Sequence, residues 1–120
     1  MALVVYEDLL PGTQLVNRLQ DLKYRVRAIT DVGTLESSAR QEKPMVVLAD
    51  LVSSRSDVCS AIARLKAASD TRHIPVIAFV DEGAEQLEAA ARTAGAALVV
   101  SDAAILSHLA QFLDQAIQVD

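Results

Sequence analysis

The sequence predicts an α/β domain built on a parallel sheet, and three observations predict it. Met45 to Ala49 is an unbroken apolar run closed by Asp50. It is short and β-branched in the middle, as suits a strand buried on both faces. Further apolar runs, at Ala2–Val5, Ile74–Val80 and Ala96–Val100, are separated from it by segments of helical period. Such alternation implies parallel strands with right-handed crossovers and helices on both faces.

The first strand, Ala2–Val5, leads into Tyr6, Glu7 and Asp8. Pro11-Gly12-Thr13 then breaks the chain and opens a helix in which Leu15, Leu19 and Leu22 fall at i, i+4 and i+7. Tyr24–Ile29 alternates, with Arg25 and Arg27 opposite Tyr24, Val26 and Ala28, a second strand with one wet side near an edge of the sheet. Gly33–Glu42 is a weakly helical segment anchored only by Leu35 and Ala39. The central strand to Asp50 follows, then a polar loop, Ser53-Ser54-Arg55-Ser56, with Ser56 and Asp57 placed to cap the next helix.

Val58, Ile62 and Leu65 supply that helix with its buried stripe. Asp70 to His73 is a loop, and Ile74–Val80 a fourth strand that tolerates Pro75 near its start. Glu82–Ala94 is an alanine-rich helix; Asp81 and Glu82 favour its N-terminus and Gly95 stops it. Ala96–Val100 is a fifth strand, and Ile105, Leu109, Phe112 and Ala116 line a final helix. Residues 1–120 thus form one domain, a flavodoxin-like (βα)5 doubly wound sheet of strand order 2-1-3-4-5. In that order the first and third strands are neighbours, so Glu7, Asp8 and Asp50 converge where such sheets gather their ligands and chemistry.

Composition excludes several functions. Of 120 residues, 52% are hydrophobic and 22% charged, which suits one globular domain rather than a disordered chain. No apolar run approaches the roughly 20 residues that cross a bilayer, and no basic stretch precedes an apolar one at the N-terminus, so neither a membrane span nor a signal peptide is expected. The single cysteine, Cys59, excludes an internal disulfide and fits a reducing cytoplasm; its helical position reads as a small buried residue. A net charge of −5 and 3% aromatic residues argue against nucleic acid as a direct partner. His73 and His108 have no metal-ligand spacing with Cys59 and read as surface residues. No phosphate-binding glycine loop, dinucleotide fingerprint or nucleophile elbow is present, so no enzyme is expected. A flavodoxin-like small-ligand binder, seated on the apolar patch near Tyr6 and Val80, is a reading of another class. Its flavin form is disfavoured, because the acidic loop Glu7-Asp8-Leu9-Leu10-Pro11-Gly12 would repel a flavin phosphate.

The acids after the first strand, Asp50 closing the third, Ile74-Pro75-Val76-Ile77 in the fourth and Ala94-Gly95-Ala96 before the fifth together resemble the receiver domain of bacterial response regulators (CheY-like). The resemblance spans essentially the whole chain. It implies that Asp50 is the candidate phosphoacceptor, that Glu7, Asp8 and Asp50 are candidate ligands for Mg²⁺, and that the phosphoryl group comes from a histidine kinase. The match is partial. The family's acidic pair falls on Tyr6 and Glu7, its Ser/Thr on Val80 and its Lys on Asp102, followed by Ala103 where proline is usual. Ser54 stands for a proline and Val58 for a glycine in the loop after Asp50.

These departures bear on chemistry. Phosphoryl transfer to a carboxylate depends on positioning and on cations that neutralise spreading negative charge. Asp102 in place of a lysine changes the local charge by two units, and Val80 removes the hydroxyl that would report a phosphoryl group. Arg55, in the loop after Asp50, is a candidate to swing in and offset Asp102. Taken alone, Asp50 reads as a solvated carboxylate ending a strand, and Tyr6 as an aromatic covering the former acidic pocket. The expectation is an atypical, pseudo-receiver domain that binds a signalling partner, such as a histidine kinase or an output domain, or forms a homodimer. By resemblance the interaction face draws on Glu85, Glu88, Arg92, Leu98, His108 and Gln111. The alternative is a functional phosphorelay receiver using Asp50 and Mg²⁺.

Overall fold

Ala2 stands opposite Val46 and Val5 opposite Ala49 in the computed structural model, which describes residues 2–6, 9–51 and 58–117. These two strands, β1 (Ala2–Val5) and β3 (Val46–Asp50), run parallel at the centre of a five-stranded sheet. With β2 (Val26–Ile29), β4 (Val76–Val80) and β5 (Leu98–Ser101) the order is β2-β1-β3-β4-β5, all neighbours parallel. Every residue of β1, β3 and β4 is buried, which is what their continuous apolar runs require.

Alternation along these strands feeds two cores. Leu3, Val5, Val47, Ala49 and Ala78 pack on one face against Leu35 of α2 (Leu35–Glu42), Ile62 and Leu65 of α3 (Val58–Ala67) and Ala91 of α4 (Glu85–Ala94). Val4, Tyr6, Leu48, Ile77 and Phe79 pack on the other, against Leu15 and Leu19 of α1 (Leu9–Asp21), Ile105 of α5 (Asp102–Ser107) and Leu109 and Leu113 of α6 (Leu109–Ile117). The flavodoxin-like doubly wound sheet is therefore as the sequence predicts. No helix of the described residues is long and apolar enough to cross a membrane.

Several boundaries differ. Helix α1 begins at Leu9, with Pro11 and Gly12 inside its first turn, where a missing N–H leaves no acceptor unsatisfied. It ends at Asp21, so Leu22 falls outside it and is exposed. In the edge strand Ala28 is exposed and Ile29 buried, against the predicted alternation. Met45 precedes β3 and is half exposed, because pairing begins only at Val46. Asp81 and Glu82 lie in a turn through Gly83 (φ 89°), and the acids of the first turn of α4 are Glu85 and Glu88. The predicted last helix is two, broken at His108, and the stripe of the second is Leu109, Leu113 and Ala116, with Phe112 only half buried. Cys59 is half buried beside the first core.

Gly95 shows why α4 stops where it does. Its φ of 111° lies where side-chain-bearing residues are strained, and a Cβ there would stand 2.7 Å from Cγ of Lys66 on α3. Gly95→Ala is expected to cost about 1–3 kcal/mol from the backbone alone. Urea unfolding checks it; a loss below about 0.5 kcal/mol, the scatter of neutral surface changes, would contradict the left-handed backbone at Gly95.

Candidate functional site

The carboxyl edge of the sheet collects the positions that the sequence singles out. Asp50 closes β3, Val80 closes β4, Tyr6 follows β1 and Asp102 follows β5. Asp50 is directly opposite Phe79 in β4, and Val80 is opposite Ser101 in β5. On the other side Val5 is opposite Ala49, so the register continued by one residue sets Tyr6 level with Asp50. Side-chain alternation then puts Tyr6, Asp50 and Phe79 on one face of the sheet, while Val80 faces the other core.

Asp50 is 0% exposed, Phe79 0% and Tyr6 9%. The expectation of a solvated carboxylate is thus overturned: Asp50 is fully buried at the end of β3, level with Tyr6 on one side and Phe79 on the other. Phe79 is the residue that sequence reasoning passed over. Its signal was available, since a fourth strand ending at Val80 sets residue 79 against the end of β3.

Beyond β5, Ser101 caps α5: its hydroxyl oxygen accepts the Ala104 N–H at 3.1 Å. Asp102 follows as the first residue of that short helix, half buried, with its charge complementing the helix start. An acid is at home there for reasons of local structure.

Glu7, Asp8 and Arg55, with Ser54, Ser56 and Asp57, lie outside the described residues. Among the described residues no three His, Cys, Asp or Glu side chains meet to hold a metal ion. Of the candidate Mg²⁺ ligands only Asp50 is described, and it is fully buried. The described residues therefore do not by themselves make a Mg²⁺ site.

The interaction-face residues fall in two layers separated by edge strand β5. Glu85, Glu88 and Arg92 are on α4, where Arg92 pairs with Glu88 at 2.9 Å. His108 and Gln111 lie on the side of α5 and α6, both exposed, with the His108 ring edge-on to Phe112 at 6.1 Å. Leu98 is half buried and packs inward against the second core.

Neither a family model nor a curated protein matches the chain in sequence. Solved structures match it in shape. The receiver domain of NtrX from Brucella abortus superposes with a TM-score of 0.87 at 18% identity, covering 100% of both chains. The receiver domain of the sensor histidine kinase PA1611 from Pseudomonas aeruginosa, with magnesium coordinated in its active site cleft, gives 0.87 at 22% identity over 98% of this chain and 97% of that one. The BeF3-activated receiver domain of RstA from Klebsiella pneumoniae gives 0.84 at 17% identity over 98% of both. At these identities the likeness establishes the fold: this chain has the fold of response-regulator receiver domains.

Proposed function

We propose that the chain is an atypical receiver domain that serves signal transduction mainly as a protein-interaction module, with conventional aspartyl phosphorylation impaired. The observation that carries this reading is the setting of Asp50, fully buried between Tyr6 and Phe79. The fold places Val80 and Asp102 at the same edge, so neither a hydroxyl nor a fixed cation is supplied from those positions. At an effective dielectric near 20, a unit pair at about 10 Å, the spacing of two strands with one between them, is worth roughly 2 kcal/mol before screening. Even discounted for solvent, an acid at position 102 opposes a dianionic phosphoryl group on Asp50.

The partners suited to this reading are a histidine kinase, an output domain or a second copy of the chain, met through the layers on either side of β5. We assign the domain no enzymatic activity and place its work in the cytoplasm, in keeping with its single cysteine.

The test is incubation with Mg²⁺ and acetyl phosphate followed by intact mass. The expected result is no hydroxylamine-labile gain of a phosphoryl group. A gain that disappears in Asp50→Asn would overturn the reading and favour a phosphorelay receiver. The likeness to the PA1611 and RstA receivers, one holding magnesium and one activated by BeF3, is what supports that second reading.

A further inference from the structure

The opposite, N-terminal edge of the sheet holds a cleft that the chemistry at Asp50 does not use. A cavity of about 420 Å³ opens among the residues that precede β3, β4 and β5 and the ends of α3 and α6. Its floor is apolar: Met45, Ile74, Pro75, Ala97 and Ile117 line it. Met45 is 48% exposed, one of three large hydrophobic side chains so exposed among the described residues. Exposed apolar surface of this kind, backed by a cavity, is a feature of ligand sites.

The rim is cationic. Lys66, Arg72 and His73 border the cavity, and a second hollow of about 460 Å³, sharing His73 and Ile74, adds Arg40 and Lys43. Among the described residues that line the two hollows, four are Lys or Arg and one is an acid. Arg40 is itself taken up by two acids, Asp70 at 2.9 Å and Glu36 at 2.8 Å. In a chain of net charge −5, Lys43, Lys66 and Arg72 are then the cations that border this edge.

Lys66 is fixed in place. Its Nζ donates to the Ile74 carbonyl at 2.6 Å and the Arg72 carbonyl at 3.1 Å, and its stem lies against Gly95. Burial holds its ammonium below the ordinary lysine range. A desolvated cation on a braced side chain gains more from an anion than a mobile surface lysine does.

We propose that this cleft binds a small organic anion with an apolar body, the acidic group on the Lys66–Arg72 rim and the body on the Met45–Ile74 floor. Inorganic phosphate would meet only the rim, and a neutral apolar molecule only the floor. The experiment is an amide NMR titration of the full chain with octanoate, octanol and inorganic phosphate in turn. Octanoate is expected to shift Met45, Lys66, His73 and Ala97 together and saturably, more tightly than either other probe. Arg72→Glu, at an exposed side chain, is expected to weaken octanoate roughly tenfold while keeping the wild-type spectrum elsewhere. Met45→Thr, a second exposed site, is expected to weaken it as well. Octanol binding as well as octanoate, phosphate binding as well as octanoate, or octanoate shifts scattered away from the cleft would each overturn the proposal.

Discussion

Phe79→Ala is expected to destabilise the domain by about 3–5 kcal/mol, the range for an aromatic ring removed from a close-packed core. Phe79 is fully buried in β4, between Asp50 of β3 and Val100 of β5. Its ring shares a core with Tyr6, Leu48, Ile77 and Ile105, so helices and strands all lose contacts when it goes. A domain of this size has a total stability of about 5–15 kcal/mol, so the variant retains a fraction of it. Urea unfolding at unchanged slope measures the loss as a lower midpoint. A change under about 1 kcal/mol would mean that the face collapses around the gap, and that the packing described beside Asp50 is not the packing of the folded protein.

The sheet was legible because strands buried on both faces leave unbroken apolar runs, and β1, β3 and β4 are such strands. Element ends were less so. Met45 belongs to the apolar run but precedes the first paired residue, and hydropathy does not record where pairing starts. Pro11 and Gly12 read as breakers, yet the first turn of a helix is where proline is tolerated. The break at His108 has no glycine or proline to announce it, and the two halves present one nearly continuous stripe to the same core.

At the candidate site, the placement of Tyr6, Val80 and Asp102 could be read from strand ends. The burial of Asp50 could not, since it is set by the folded surroundings of the strand end and not by the apolar run that precedes it. The cleft at the other edge was invisible for the same reason. Its rim and floor come from separate segments, including the ends of α3 and α6, that only the folded chain assembles.

The proposed impairment of phosphorylation at Asp50 rests on two features, the acid at position 102 and the burial of Asp50 level with Tyr6 and Phe79, and one variant separates them. Val80→Thr combined with Asp102→Lys restores a hydroxyl and a cation without touching the aromatic cover. Asp102 is half buried at a helix start, so a long side chain there can turn toward solvent or toward the sheet edge. Val80→Thr keeps shape at the cost of one buried hydroxyl, and both changes leave Phe79 packed. If charge is the dominant obstacle, labelling by acetyl phosphate rises at least about tenfold above the wild-type level, equivalent to about 1.4 kcal/mol of barrier. Intact mass with and without hydroxylamine reads it, and Asp50→Asn in the same background abolishes it. That gain is the expected result, because the reversal of two charge units is large against the cost of shifting the Tyr6 ring, which ends the buried run of β1. A folded double variant that stays unlabelled would instead assign the block to Tyr6 and Phe79, and the electrostatic account of this site would fail.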